Sequence, residues 1–307
     1  MTGRSGPNWF GLVLLVFALT SLTGCSVIKT AAIKNVAGTL SSGGDTFSSD
    51  NDPELVRGAI PFALKTYESL LESVPKYEPL LVATCSGFTQ YAFAFVETDA
   101  DVLGEDHHDE AKALRDRAVK LYVRGKDYCV RGLEARFPGI GPQLQKDPEA
   151  ALKRAEKKDV PLLYWTAASW GAALSLSMQP ELTVDFPIVR ALIDRALALD
   201  ESWGNGSLHE TMITLESLGE ALGGSEARAR EQFKRAVELQ KGSSAGPYVA
   251  LATGISVAKQ DRAEFEKLMN EALAVDPDKV PVLRLQNLIM QRRARAMLAH
   301  IDTLFAK

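Results

Sequence analysis

The residue with the most distinctive chemistry is Cys25, which closes the run Leu22-Thr23-Gly24-Cys25 behind an apolar stretch. Arg4 and the free amino terminus supply a positive end, and Trp9 to Leu19 supply an apolar core. Small residues then lead to a thiol placed to take a lipid, the arrangement of a bacterial lipoprotein signal. The apolar run is shorter than the roughly 20 residues a membrane span needs. Residues 1–24 are therefore read as a signal peptide that is removed and Cys25 as the lipidation site, with acyl chains holding the mature chain to a membrane surface. Ser26 stands where an aspartate would signal inner-membrane retention, which points to the periplasmic face of the outer membrane.

Other reactive groupings are sparse. Glu105, Asp106, His107, His108, Asp109 and Glu110 form one dense run of metal-ligating types. Neighbours in sequence cannot all face one ion, and acids ahead of a helix are accounted for by its dipole, so the run reads as a solvated loop. His209-Glu210 opens like a zinc-protease pattern, but the residue four beyond His209 is Ile213, so the second ligand is missing. Packing or capping at a helix start is the reading for His209. The chain has no Gly-x-Ser-x-Gly elbow, no phosphate loop ending in Gly-Lys-Ser/Thr and no dinucleotide glycine fingerprint. No catalytic residue, metal ligand set or cofactor site is assigned, and the chain is read as a non-enzyme.

The segment Leu162 to Gly171 is more informative, because it holds Tyr164, Trp165 and Trp170 among alanine, serine and glycine. Large flat side chains beside small ones fit a helix-packing core, and Trp and Tyr also favour partly wet clefts through their polar tips. Cys85 and Cys129 fall on apolar helix stripes, which favours two buried thiols and leaves a disulfide open.

The elements that would carry these residues are helical. Residues 25–51 have little periodicity and many small polar residues, with a weak helical patch at Ile28 to Val36, and read as a lipidated flexible tether. A free tether of that length has a mean reach of roughly 25–30 Å. Asp52-Pro53-Glu54 supplies a cap, a proline at the first helical position and an acid for the dipole, so residues 52–307 form one all-α domain. Ile60, Ala63, Leu64, Tyr67, Leu70, Leu71 and Val74 recur at three and four, and a second helix over Leu80 to Val96 turns back on the first. A third carries Gly125 and Gly132 on its apolar stripe, where they would admit a close neighbour. Val160 to Ser177 is apolar nearly all round and must be buried on most sides. No segment after the leader approaches 20 consecutive apolar residues.

Three segments repeat: Arg195-Ala196-Leu197-Ala198-Leu199-Asp200, Arg235-Ala236-Val237-Glu238-Leu239-Gln240 and Glu271-Ala272-Leu273-Ala274-Val275-Asp276-Pro277. Their central alanines lie 40 and 36 residues apart, near the 34-residue period of tetratricopeptide repeats. A helix over Val282 to Phe305 would cap the array. Removal of the leader takes Arg4 and moves the net charge from −4 to −5, an acidic balance that disfavours nucleic acid.

In this order along the chain, several of these patterns resemble the TatT family, the lipoprotein component of tetratricopeptide-repeat-associated TRAP transport systems. The residues that carry the resemblance are the hairpin Leu64 to Val96, Arg117 to Tyr128, Leu163-Tyr164-Trp165 with Ser169-Trp170-Gly171, the alanine repeats, Leu285-Gln286-Asn287 and Asp302-Thr303-Leu304-Phe305. The resemblance implies an array of tetratricopeptide-like hairpins that assembles as a homotrimer and docks a TRAP-type periplasmic solute-binding protein. It also implies a passage for a small, partly hydrophobic ligand such as an organic acid, with Tyr164, Trp165, Trp170 and Asn287 as candidate passage or partner residues. The alternative is a tetratricopeptide scaffold lipoprotein serving outer-membrane protein or polysaccharide export.

Overall fold

A computed structural model describes residues 33–39, 45–103, 107–177 and 184–306. Cys25 and the leader lie outside the described residues. Every described element is helical, and no strand occurs among them.

Helix α1 (Pro53–Ser73) starts where the sequence places it: the Asp52 carboxylate accepts hydrogen bonds from the amides of Glu54 and Leu55, with Pro53 at the first turn. Helix α2 (Glu78–Tyr91) does not stop at Val96. It passes through a π-helical turn, Ala92–Glu97, into α3 (Thr98–Val102). By length and mean hydropathy the composite Glu78–Val102 could span a membrane, although it holds no run of 20 consecutive apolar residues, and half of it is buried inside the bundle. It is a core helix because α4 (His108–Arg136) covers it closely. A Cβ on Gly125 would lie 3.2 Å from the Cys85 carbonyl oxygen, and one on Gly132 would lie 2.9 Å from Leu162 Cδ1. The two glycines thus let α4 approach its neighbours on both sides.

Cys85 and Cys129 meet at this contact and form a disulfide, with Cα atoms 5.4 Å apart and both side chains fully buried. The reading as two free thiols is corrected: both cysteines lie on apolar stripes, as the pattern said, but those stripes face each other.

Short helices α5 (Ile140–Lys146) and α6 (Pro148–Leu152) lead to α7 (Val160–Ser177), and then come α8 (Phe186–Leu199), α9 (Ser207–Glu216), α10 (Glu226–Gln240), α11 (Gly246–Leu251), α12 (Arg262–Ala274), α13 (Arg284–Ala299) and α14 (Ile301–Leu304). A second π turn, Ala252–Ser256, follows α11. Helices pack on their chain neighbours: α7 on α8, α9 on α10, α11 on α12, α12 on α13. The repeat alanines Ala196, Ala236 and Ala272 are all fully buried, which is what a small residue at a helix crossing provides. The expected terminal helix breaks at His300 into α13 and α14.

Acids pin the successive layers, Glu216 and Asp159 buried and Glu264 partly so. Glu216 takes Arg190 from α8 and Arg228 from α10, each at 2.8 Å. Asp159 takes Arg136 at 2.6 Å, and Glu264 on α12 takes Arg230 of α10 in a two-point pair. The last long helix returns to the first ones: α13 contacts α3 and α1, and Ile289 shares a cluster with Leu64, Phe88 and Tyr122.

The described part of the 25–51 segment departs from a free tether. Residues 33–39 are helical, with Ala37 fully buried beside Leu71, Val74, Leu80 and Leu81. The turn Asp45–Ser48 sits on α13, where Arg284 donates to the Ser49 carbonyl at 2.7 Å. A reach calculated for a fully free tether therefore does not apply.

The disulfide closes a loop with a sequence separation of 44. Loop-closure entropy assigns such a link about 4 kcal/mol. Cys85→Ala/Cys129→Ala should lower the unfolding free energy by about that amount in a denaturant titration, with helical circular dichroism retained before the transition.

Candidate functional site

The uniformly apolar helix α7 is buried on most sides, as its composition requires, but Tyr164 and Trp165 are only partly buried. Tyr164 stacks edge-on against Trp165 at 4.9 Å between ring centroids and tilts against Trp203 at 4.7 Å. Trp203 comes from the short 3-10 turn Trp203–Gly206 ahead of α9. The three rings form one aromatic wall.

Beside that wall stands Glu210, in the first turn of α9 and half-buried. Its Oε2 accepts from Gln240 Nε2 at 3.3 Å, and burial pushes its carboxyl up to about 7. Burial, with a smaller contribution from the Glu210 charge, raises the Tyr164 phenol to about 12, against the opposing pull of the Thr211 hydroxyl. Gly246, at the start of α11, presses directly on this carboxylate. Any Cβ there would collide with Glu210 Oε1.

Asn287 is fully buried on α13 and grips the turn that delivers Gly246. Its Oδ1 accepts from the Ala245 amide and its Nδ2 donates to the Ser243 carbonyl, both at 2.9 Å. Tyr164 and Asn287 therefore bear on Glu210 in different ways, Tyr164 by standing near enough for the carboxylate charge to act on its phenol and Asn287 through the turn it holds. Trp170 lies elsewhere on α7, 9% exposed, with Lys126 Nζ 5.4 Å above its ring. The structure does not bring it to the other three. Trp165 joins the wall through its ring, while its carbonyl oxygen lies 3.6 Å from Cys85 Sγ.

His209 is buried, with Nδ1 2.6 Å from Gln232 Oε1 and Nε2 3.1 Å from Glu201 Oε1, so it ties α9 to α10 and to the preceding loop. His107 and His108 are exposed at the start of α4, and His107 Nδ1 is 3.6 Å from Glu110. Glu105 and Asp106 lie outside the described residues. Among the described residues no group of three His, Cys, Asp or Glu is placed to hold a metal.

Glu210, Gln240 and Trp203 are the residues that sequence reasoning missed. An acid in a first helical turn is ordinary, and nothing local marks this one as buried. The available signal was Gln240, which stands where the other repeat copies carry aspartate, at Asp200 and Asp276.

The chain matches the family model described as TRAP transporter T-component over residues 49–305. An uncharacterized protein of Treponema pallidum (strain Nichols) is 30% identical over 268 residues, which covers 84% of this chain and 82% of the relative.

The raised Glu210 carboxyl makes stability depend on pH in a defined direction. Its folded value of about 7 lies above the ordinary 4.5. The folded state thus holds the proton more tightly, and its contribution to stability is lost as pH rises from roughly 4.5 to 7. Glu210→Gln removes that penalty. Relative to wild type the variant should gain about 2 kcal/mol at pH 8, after allowance for partial exposure, and close to nothing at pH 4.5, by urea titration at both pH values.

Proposed function

The chain belongs to the TRAP transporter T-component family, and on that premise we propose that it is a lipid-anchored scaffold. In this reading it holds a TRAP-type solute-binding protein at the periplasmic face of the outer membrane and offers a passage for that protein's small, partly hydrophobic ligand. The accessory role in a TRAP system follows from membership; the anchor, the partner, the passage and a homotrimeric assembly are this proposal. The observation that carries it is the family match across residues 49–305, which takes in every helix from α1 to α14.

Three features support the finer reading. Cys25 closes a lipoprotein-type leader. The buried Cys85–Cys129 disulfide suits an oxidising compartment such as the periplasm, since cytosolic proteins are kept reduced. The aromatic wall with Glu210 and Gln240 combines apolar surface with a few polar groups, the composition of small-molecule sites. Tyr164 and Trp165 lie on that passage in this proposal, Asn287 shapes it from behind, and Trp170 belongs to the packing of α4 on α7.

The test is affinity capture of full-length protein from detergent-solubilised membranes, with mass spectrometry of what co-purifies. A TRAP-type solute-binding protein should be the main partner; recovery of secretion or polysaccharide-export components in its place would overturn the transport reading. In the same strain Cys25→Ser should shift the protein from the membrane pellet to the soluble or unprocessed fraction.

A further inference from the structure

The groups around Glu210 are unbalanced in a way that specifies a ligand. Gln240 is 93% buried, being 7% exposed, and its Oε1 has no hydrogen-bond partner, although its Nε2 donates to Glu210. A buried acceptor left without a donor is costly and uncommon in native proteins. Glu210 Oε1, the second carboxylate oxygen, faces the backbone of Gly246. One buried acceptor, Gln240 Oε1, is therefore left without a donor beside a carboxylate that already takes the Gln240 amide.

No compensating cation stands nearby. Among the described residues neither lysine nor arginine pairs with Glu210, whose carboxyl is perturbed by burial and by Gln240. The facing groups are few. Tyr164 approaches from α7, Gln240 from α10 and Gly246 from α11, while the adjacent His209 ring is turned away to Gln232 and Glu201. A ligand carboxylate would meet two acceptors and no positive charge.

The neighbouring surface favours the opposite sign. Tyr164, Trp165 and Trp203 cluster through edge-on and tilted contacts, and aromatic rings attract ammonium groups over their faces, most strongly where water is partly excluded. The turn that carries Trp203 holds Asn205 in the left-handed region, at φ 51°.

We propose that Glu210, Gln240 and the Tyr164–Trp165–Trp203 wall form a binding subsite for the amino group of a small, partly apolar molecule. The ammonium donates to the Glu210 carboxylate and to Gln240 Oε1, and its hydrocarbon portion lies along the rings. This deepens the passage reading and rests on it in taking the α7 face as ligand-facing. It assigns that face a donor-bearing ligand where the resemblance alone suggests an organic acid.

Phenethylamine and 3-phenylpropionate serve as probes, since they share an apolar body and carry opposite charges. Their binding to full-length protein is followed by isothermal titration and by tryptophan emission. Phenethylamine should bind at least tenfold more tightly than 3-phenylpropionate at pH 8. That preference should fall as pH drops from 8 to 5.5 and Glu210 takes up a proton. Glu210→Gln should lose at least tenfold in affinity for the amine and the pH dependence with it. Gln240→Met, which keeps volume and removes the acceptor, should weaken binding with less effect on pH dependence. Circular dichroism and melting confirm that each variant is folded. Absence of amine binding at millimolar concentration, equal or tighter binding of the acid, or unchanged binding by folded Glu210→Gln would each overturn the subsite. Affinity capture of the solute-binding protein is scored separately, so the subsite can fail while the scaffold reading stands, and the reverse.

Discussion

The interaction on which the architecture depends is the return of α13 to the acids at the end of the first π turn and just beyond it. Arg293 reaches Asp101 at 2.7 Å and Glu97 at 3.6 Å, all three side chains being at most 16% exposed. Arg292 meets Asp99 at 2.7 Å, and Arg57 of α1 grips the same carboxylate at two points. Burial pushes the Glu97 carboxyl up, against the opposing pull of Arg293 and of the Tyr122 hydroxyl bonded to it. Such pairs add little net stability compared with apolar packing, but removing one partner strands a buried charge at a cost of roughly 3–5 kcal/mol. Their role is to fix which surfaces meet. Once α13 is seated on α3, Asn287 is positioned to hold the turn at Ser243–Ala245, and that turn sets Gly246 against Glu210. A contact among charges near residue 100 thereby shapes a site built from α7, α9, α10 and α11.

The remaining structure makes that closure feasible. Glycines at the α4 crossings and alanines at the repeat crossings draw helices together, and the disulfide binds α2 to α4 where the chain doubles back. The first π turn ends at Glu97 and continues directly into α3, so Glu97, Asp99 and Asp101 face the returning helix. π turns are uncommon and gather at functional positions in helices. Phe93, on the same turn, packs on the apolar clusters of both halves, with the Arg293 guanidinium 5.3 Å above its ring.

Much of this was legible in the sequence where the determinant is local. Apolar spacing of three and four located α1, the all-apolar run located α7 as a buried helix, Asp52-Pro53 marked the start of α1, and the three repeats marked alanines that prove fully buried. What depends on distant pairing was not legible. Arg292 and Asp99 lie 193 residues apart, and each alone looks like an ordinary surface charge. The cysteine stripes could be read, but not that they oppose each other. Glu210 looked like a first-turn acid because its burial comes from Gly246 and Gln240, supplied by other elements. Ala37 sits in a segment whose polar composition suggested a tether, and a single alanine seated on α1 and α2 leaves no periodic trace.

The central claim is that ring closure at Arg293 positions the Glu210 site through Asn287. Site-resolved backbone hydrogen exchange of Arg293→Met against wild type tests it most directly. The account predicts faster exchange at the Ala245 amide, which is bonded to Asn287, and across residues 97–102, with α7 and α8 keeping wild-type protection. Unchanged protection at Ala245 while residues 97–102 loosen would contradict it, because the closure and the site would then be independent.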